Sequence, residues 1–394
     1  MRGRNRFLSV KPRKSGLRLE DNSSIAVIGG GPAGSFFSYF MLDMAERMGI
    51  KLRADIYEPR NFAADGPAGC NMCGGIISES LVQILAAEGI NIPTTVVQHG
   101  IDSYIMHTDA GKVRIDTPLH ESRIAAVHRG IGPKGVTGGK RESFDAFLLD
   151  LAEKKGARVY PHRVEEIRWT GGRPTMIRQD TEDKMYDLLV IATGVNSIFL
   201  KKTDTLPFDY IPPETTRTAI CEFHLGEEMV NLNLGSSMHV FLLDLPRLEF
   251  AAIIPKKDYA TVCLMGDKID SELVNTFLHA PEVRKCFPPD WKPDKIACRC
   301  APSINIEPAR NYFGDRVVFI GDTAATRLYK DGIGAAYRTA KAAAMTAVFQ
   351  GISAEDFRKG YAPECDRIKS DNAAGKRLFS FTGKIQKHKL TKRA

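Results

Sequence analysis

The sequence predicts an α/β fold in which a Rossmann-type domain carries an inserted antiparallel β-sheet domain and is followed by a C-terminal helical segment. Two patterns in the 394 residues indicate this fold. Near the N-terminus, a short apolar strand, a glycine-rich turn, an apolar helix and a second strand follow one another. Between residues 216 and 266, four short strand-like runs suit the sheet of a second domain.

The N-terminal elements have the order of a strand–helix–strand unit. Residues 25–28 are an apolar strand, residues 33–48 an apolar helix, and residues 51–57 a second strand. Parallel strands need such a crossover connection, usually a helix. This order therefore predicts the parallel sheet of a Rossmann-type domain.

The turn between the first strand and the helix fits the pattern G-x-G-x-x-G. Gly29, Gly31 and Gly34 supply the glycines, and Pro32 and Ala33 lie between the last two. Glycines permit a tight turn and let backbone N–H groups approach a pyrophosphate, toward which the helix points the positive end of its dipole. We therefore predict dinucleotide binding here, the alternative being a chance glycine turn.

An acidic residue at the end of the second strand supports this prediction. Glu58 lies 24 residues after Gly34, close to the spacing of about 20 expected for the acid that binds ribose hydroxyls. Arg60 follows two residues later and is assigned to the same cofactor site.

Two later strands end in turns where the backbone can pass close to a nucleotide. One ends at Thr193-Gly194 and the other at Gly321-Asp322. The Asp322 carboxylate can accept a hydrogen bond from a cofactor hydroxyl, the alternative being that Asp322 caps a helix. We predict that all four residues contact the cofactor.

The order of these motifs resembles that of the flavoprotein group that includes p-hydroxybenzoate hydroxylase and geranylgeranyl reductase. The resemblance covers about residues 24–350. A plain NAD dehydrogenase would not usually place a second nucleotide contact about 290 residues after the glycine loop. The resemblance implies FAD as the bound cofactor, with Gly332, Ile333 and Gly334 opening a helix whose amides face the flavin ring and favour negative charge there.

This resemblance also implies how the chain divides into domains. We expect, in chain order, a flexible basic arm (1–23), an FAD-binding domain in three segments (24–80, 140–204 and 301–350), a substrate domain in two segments (81–139 and 205–300), and a C-terminal helical segment with a basic tail (351–394).

A narrower resemblance lies in residues 67–75. Pro67 and Cys73-Gly74-Gly75 fit the P-x5-C-G-G signature of the geranylgeranyl reductase family, with Ile76 where that family has a third glycine. Residues 250–255 keep only the first aromatic and the proline of that family's Y-x-W-x-F-P motif.

The family's R-x-x-F-D segment, which lies beside the flavin, is matched by Arg141 with Phe144-Asp145. The resemblance therefore adds Arg141 to the cofactor-binding residues. It also places Cys73, Gly74 and Gly75 against the flavin and makes Cys73 the catalytic residue.

The resemblance implies an oxidoreductase that reduces carbon–carbon double bonds of an isoprenoid by hydride transfer from reduced flavin. NAD(P)H or a ferredoxin-like protein would supply the electrons, because the sequence has one dinucleotide motif and no second one. Two alternatives stay open. The same fold serves flavin monooxygenases acting on aromatic or polyene substrates, and a flavin-containing electron-transfer subunit of a larger complex would have the same motifs.

The cysteines allow further interpretations. Cys70 and Cys73 form a C-x-x-C pair, which can be a redox disulfide, half of a metal site or two inert thiols. With Cys298 and Cys300 they would supply four ligands for zinc or an iron–sulfur cluster. The remaining cysteines are expected to be buried or incidental: Cys221, Cys263, Cys286 and Cys365.

The histidines are isolated and form no H-x-x-x-H pattern, although His224 and His239 lie in the predicted substrate sheet and are candidates to line its pocket. We therefore predict no metal site.

Charge is concentrated at the two ends of the chain. The formal net charge is +8, yet residues 1–20 hold seven basic residues against one acid, and residues 376–394 hold seven basic residues and no acid. Basic ends can attract an anionic membrane surface, a nucleic acid or an acidic partner protein, the alternative being solvated tails that only aid solubility. We expect a cytoplasmic protein with peripheral membrane contact, an apolar substrate and no nucleic-acid partner.

Overall fold

The computed structural model describes residues 16–134, 141–178, 181–328 and 331–387. Most of the predicted basic arm, residues 1–15, and the end of the basic tail, residues 388–394, lie outside the described residues. The described part is a mixed α/β structure, which confirms the predicted fold class at that level.

The strands, in chain order, are β1 Ser24–Ile28, β2 Arg53–Tyr57, β3 Ile76–Ile77, β4 Val97–Ile101, β5 Ser103–Thr108, β6 Gly111–Asp116, β7 Ile124–Val127, β8 Arg158–Tyr160, β9 Glu166–Thr170, β10 Arg173–Arg178, β11 Thr181–Met185, β12 Leu188–Ile191, β13 Thr215–Arg217, β14 Ala219–His224, β15 Ser237–Leu242, β16 Leu248–Lys256, β17 Tyr259–Gly266, β18 Cys298–Cys300, β19 Ser303–Asn305, β20 Phe313–Gly314 and β21 Val317–Phe319. The α-helices are α1 Pro32–Arg47, α2 Gly66–Gly69, α3 Glu79–Ala87, α4 Phe144–Lys154, α5 Glu227–Asn233, α6 Ser271–His279, α7 Pro281–Arg284, α8 Gly332–Phe349, α9 Ala354–Gly360 and α10 Ala362–Lys387.

A six-stranded sheet contains the elements around the glycine loop. Its order is β20-β21-β12-β1-β2-β8, and every neighbouring pair is parallel except β20 with β21. The side chains of β12 are buried along its whole length, and those of β1 from its second residue on, as in sheets covered on both faces. Helices α1 and α8 pack together, with Phe36 and Phe40 each meeting Tyr337 edge-on at 5.5 Å. The predicted strand–helix–strand order is confirmed as β1–α1–β2.

A seven-stranded sheet contains the strands predicted between residues 216 and 266. Its order is β18-β14-β17-β16-β15-β5-β6. The prediction of an antiparallel sheet is wrong at one position, because β15 pairs with β5 in parallel. Strands β5 and β6 form a hairpin that lies more than a hundred residues earlier in the chain. This hairpin adds to the sheet next to β15, and β5 runs in the same direction as β15.

The two faces of the seven-stranded sheet have different neighbours. On one face, Phe241, Ile253 and Val262 pack against α5, α6 and α7. On the other face, Ala252 and Cys263 pack against β4 and β7 of a small sheet ordered β3-β7-β4. This second face also meets the Cys-Gly-Gly segment described below.

The C-terminal part of the chain is helical as far as the described residues extend. Helices α9 and α10 lie within the C-terminal helical segment expected over residues 351–394, and Ser353 begins α9 with a capping box to Asp356. Among the described residues, no helix combines the length and the apolar character that crossing a membrane requires. The proposed domain boundaries and the membrane contact stay predictions.

Candidate cofactor and active site

The glycine loop closes against the neighbouring strand so tightly that side chains are excluded. Gly29 has φ +103°, and a Cβ atom there would lie 2.5 Å from the carbonyl oxygen of Ala192. A Cβ atom on Gly34 would overlap the carbonyl oxygen of Gly29. Gly31 is the N-cap of α1, with Pro32 in the first turn. The free amides at this helix start therefore lie in a turn of the kind that binds a pyrophosphate.

Because of this overlap, a side chain added at Gly34 should lower the stability of the protein. We expect Gly34→Ala to lower the free energy of unfolding by about 1–3 kcal/mol, because backbone atoms must move to admit the methyl group. Urea denaturation measures this. Gly375→Ala is the matched control, since it adds the same methyl group within α10, where no atom lies within 4 Å. Equal stability of the Gly34→Ala and wild-type proteins would contradict the packing described here.

Glu58 lies at the predicted acid position and contacts the loop directly. Its Oε2 atom accepts a hydrogen bond from Gly30 N and its Oε1 atom accepts one from Arg60 N, both at 2.9 Å. Burial raises the pKa of this carboxyl, and the two backbone donors oppose the rise. Each oxygen keeps acceptor capacity for ribose hydroxyls. Arg60 turns its guanidinium to the side chain of Asn71 and to the carbonyl oxygen of Cys70 at 3.3 Å.

The turn at Gly321 and Asp322 packs on the glycine loop. A Cβ atom on Gly321 would lie 2.8 Å from Cβ of Ala33, and Gly321 N donates to Thr339 Oγ1 at 2.9 Å. Burial raises the pKa of the Asp322 carboxyl, while nearby Arg129 lowers it. Asp322 does not cap the following helix α8, whose N-cap is Asp331.

Thr193 and Gly194 follow β12 at the edge where Ala192 meets Gly29. The Thr193 hydroxyl donates to the carbonyl oxygen of Gly194 at 3.4 Å. The structure thus brings all three predicted motifs to the carboxyl ends of neighbouring parallel strands, the place where open α/β sheets bind ligands.

Helix α8 begins at Gly332 as predicted, with Ile333 and Gly334 in its first turn. Asp331 has the left-handed φ of 49°, and its Oδ1 atom accepts from Gly334 N at 3.1 Å. The Gly334 amide, one of those expected to face the flavin ring, therefore donates to Asp331 instead.

The Cys-Gly-Gly segment lies against the seven-stranded sheet. A Cβ atom on Gly74 would lie 3.0 Å from Cys263 Sγ, and one on Gly75 would overlap the carbonyl oxygen of Val127. Cys73 Sγ accepts a hydrogen bond from Gly75 N at 3.4 Å. Glycine at both positions therefore lets the segment approach the sheet closely.

Cys70 and Cys73 are free thiols and form no disulfide with each other. Burial raises the pKa of the Cys70 thiol. Among the described residues, the four thiols of Cys70, Cys73, Cys298 and Cys300 do not form a group compact enough for a metal ion. The two-inert-thiols interpretation fits Cys70, whereas Cys73 has a charged neighbour.

That neighbour is Arg129, which the sequence analysis missed. Its guanidinium forms a two-point ion pair with the fully buried Asp145 carboxylate, with Nη2 to Oδ2 at 2.9 Å. Asn71 also donates to Asp145. Burial lowers the pKa of Arg129, but Asp145 and Cys73 together produce a net rise. Arg129 therefore acts electrostatically on Cys73 and on Asp322.

Local sequence explains how this pair is positioned. Ser143 is the N-cap of α4, where its hydroxyl accepts from Ala146 N, and it also donates to the carbonyl oxygen of Arg129 at 2.9 Å. Asp145 is thereby held in the first turn of α4, opposite Arg129, which is the second residue after β7.

Arg141 lies elsewhere, at the β16–β17 turn. It pairs with Asp258 Oδ1 at 2.6 Å, and its guanidinium carbon lies 5.8 Å from the ring centre of Tyr259. Its Nε and Nη1 atoms are buried without a hydrogen-bond partner among the described residues. The role of Arg141 toward a cofactor stays a prediction.

A second buried ion pair lies beneath the Cys-Gly-Gly segment and was also missed. Lys256 is 1% exposed, and its Nζ atom lies 3.5 Å from Glu222 Oε1. Thr261 donates to Glu222 Oε2 at 2.7 Å. A Cβ atom on Gly75 would lie 3.2 Å from Lys256 Nζ, which places this ammonium group directly behind the segment.

The fold is that of known flavin-dependent enzymes. The structure is similar to the flavin-dependent brominase Bmp2 (TM-score 0.67, 14% identity, 94% of this chain and 91% of that chain) and to a mutant form of 2-methyl-3-hydroxypyridine-5-carboxylic acid oxygenase (TM-score 0.63, 16% identity, 91% and 93%). It is also similar to the flavin-dependent halogenase CmlS (TM-score 0.58, 18% identity), covering 93% of this chain but only 63% of that one.

No protein-family model matches the sequence, and neither does any curated protein. The likeness to solved structures therefore defines the fold and leaves the particular reaction open.

Proposed function

We propose that this chain is an FAD-dependent oxidoreductase. The observation that carries the proposal is the meeting of three distant motifs around one glycine loop, with Ala192 against Gly29 and Gly321 against Ala33. The loop and the start of α1 would bind the pyrophosphate, Glu58 the ribose, and Asp322 a ribityl hydroxyl. The absence of room for side chains at Gly29 and Gly34 fits the tight turn and close helix packing of a dinucleotide-binding loop.

The reaction that the Cys-Gly-Gly segment favours is reduction of a carbon–carbon double bond in an isoprenoid substrate. When bound and reduced, FAD supplies the hydride, and a proton completes the saturation of the double bond. Cys73 would hold the proton at Sγ, beside the positive charge of Arg129. Ile254, which lies next to Gly74 of the Cys-Gly-Gly segment, would border an alkene there and help to exclude water.

The electrons would come from NAD(P)H or from an acidic, ferredoxin-like protein. The basic ends of the chain support the second donor, because opposite charge speeds protein encounter. The same ends would hold the enzyme at an anionic membrane, where prenyl lipids reside.

A flavin monooxygenase is the second candidate. It is favoured by the likeness to an oxygenase and to two flavin-dependent halogenases. The two candidates share a cofactor site and differ in whether reduced flavin reacts with an alkene or with oxygen.

An anaerobic flavin assay separates these candidates. The purified chain is reconstituted with FAD, reduced with dithionite, and mixed with a geranylgeranyl lipid in the absence of oxygen. We expect the oxidised flavin absorbance to return when the lipid is added. Return only upon admission of oxygen would favour the monooxygenase, and failure to bind FAD at all would contradict the proposed function.

Cys73→Ala tests the proton-holding role. We expect FAD binding to persist and alkene turnover to fall by about 10²-fold, within the usual range for loss of a positioned acid. Cys70→Ala is the matched control, because it removes a thiol from the same segment that lies outside the proposed proton path. Equal turnover in the Cys73→Ala and Cys70→Ala variants would remove Cys73 from the catalytic residues.

A further inference from the structure

A compact group of nitrogen and sulfur atoms lies in the seven-stranded sheet, apart from the proposed flavin site. His107 is on β5, His239 is on the adjacent parallel strand β15, and Cys286 follows α7. His107 Nε2 lies 2.9 Å from His239 Nδ1, and Cys286 Sγ lies 3.3 Å from His239 Nδ1 and 3.9 Å from His107 Nε2. All three side chains are buried.

We propose that His107, His239 and Cys286 form a metal site that takes a zinc ion. Two imidazole nitrogens and one thiolate are ligands that zinc binds readily. With Zn–N near 2.0–2.1 Å and Zn–S near 2.3 Å, tetrahedral angles put ligand nitrogens about 3.3 Å apart and nitrogen about 3.6 Å from sulfur. The three separations in the structure depart from these values by about 0.4 Å or less. Small side-chain movements would therefore admit the ion.

The surrounding side chains hold the ligands in place. The His107 ring stacks on Phe241 with centroids 4.5 Å apart, and Phe241 meets Phe277 of α6 edge-on at 5.3 Å. Cys286 Sγ also lies 3.6 Å from the carbonyl oxygen of Glu282. Because the pocket is formed by three separate segments, the ligand atoms are already close together before an ion arrives.

Charge near the group allows a divalent ion. A zinc ion bound to one thiolate keeps one positive charge. The nearby Glu282 carboxylate favours positive charge at His107. The positive charge of Lys112 acts on all three ligands and opposes a cation there, but Lys112 is exposed on the edge strand β6, so water screens its ammonium group. Three protein ligands leave the fourth position of a tetrahedral ion to water or to another small ligand.

The site lies on the face of the sheet opposite the Cys-Gly-Gly segment. His239 is paired with Ile253 across β15 and β16, and paired residues point to the same face. Ile253 packs toward α5, α6 and α7, whereas its neighbour Ile254 faces the Cys-Gly-Gly segment. We infer that the ion joins β5, β15 and the segment after α7, and that its binding free energy adds to the stability of the fold.

From the sequence alone, no metal site is predicted and Cys286 is expected to be buried or incidental. The ligands come from three segments: the two histidines are 132 positions apart in the sequence, and His239 and Cys286 are 47 positions apart. No local spacing motif could therefore reveal the group.

Metal analysis of the full chain tests the proposal. The protein is purified without a histidine tag, and its zinc content is measured by mass spectrometry. We expect about one zinc per chain, removal by a chelator with a lower unfolding temperature, and recovery on adding zinc. Cobalt(II) added to the stripped protein should give a thiolate-to-metal charge-transfer band. Absence of zinc after purification together with failure of the stripped protein to bind zinc or cobalt would overturn the proposal.

Variants locate the ion. We expect Cys286→Ala and His239→Gln to lose at least about 10-fold in zinc affinity, because even the loss of a residue that only supports a ligand typically weakens metal binding by about 10–100-fold. The matched control is Cys221→Ala, which removes a buried thiol from the same sheet and should keep both the metal and the cobalt band. Retention of the band in Cys286→Ala would contradict the site, and the wild-type cobalt titration decides the matter if that variant does not fold. Flavin content is measured separately, so failure of the zinc proposal leaves the proposed function intact.

Discussion

Gly31→Glu is expected to abolish FAD binding while the chain still folds. A Cβ atom at Gly31 would meet only the side-chain amide of Asn71, at 3.2 Å, so the fold has room there that Gly29 and Gly34 lack. The added carboxylate would face the pyrophosphate. Two unit charges about 5 Å apart at an effective dielectric constant of about 20 repel by about 3 kcal/mol, which corresponds to more than about 100-fold weaker binding.

The flavin absorbance per chain after reconstitution and dialysis measures this effect. Gly31→Gln has the same shape without the charge, and Gly31→Ala adds only a methyl group. We expect binding to fall in the order wild type, Ala, Gln, Glu, with circular dichroism unchanged throughout. A folded Gly31→Glu protein with the full flavin spectrum would show that the loop does not bind the pyrophosphate.

Arg129→Met is expected to destabilise the protein by about 3–5 kcal/mol. Asp145 is fully buried, and the substitution would leave its carboxylate without the guanidinium that forms two hydrogen bonds to it. Loss of one partner from a buried ion pair has a cost of this size, because the remaining charge is desolvated. Urea denaturation of the protein without FAD measures the change.

Two further variants show whether the loss of stability comes from the unpaired buried charge of Asp145. Arg129→Met combined with Asp145→Leu removes both charges and should recover most of the stability, as apolar replacements of buried ion pairs often do. Arg168→Met removes one partner of an exposed pair with Glu166 and should leave stability unchanged within error. If Arg129→Met were as stable as Arg168→Met, the pair would have no structural role.

The parts of the site that sequence analysis predicted are local. The glycine loop, Glu58 and the start of α8 lie within short segments whose spacing follows from the geometry of one turn and one strand. The residues that it missed pair across the fold. Arg129 contacts Asp145 from a separate segment, and Lys256 contacts Glu222 across strands β14, β16 and β17.

Asp145 illustrates why such pairs across the fold are missed from sequence. The R-x-x-F-D resemblance contains both Arg141 and Asp145, and it assigns only Arg141 to the cofactor. In the structure, Arg141 pairs with Asp258 and the arginine bound to Asp145 is Arg129. Charge in a sequence shows which residues need partners, but the tertiary fold selects the partner.

The parallel pairing of β5 with β15 has a consequence for dissecting this protein. The hairpin β5–β6 lies between β2 and β8 in the chain, yet it completes the seven-stranded sheet. An excised fragment such as residues 205–300 would expose the backbone edge of β15, and unpaired strand edges promote aggregation. A soluble minimal fragment would need the hairpin inserted directly before β15. Asp116 at the end of β6 and Ser237 at the start of β15 both pair with Ser103, so a short linker that spans two strand spacings, about 10 Å, would suffice.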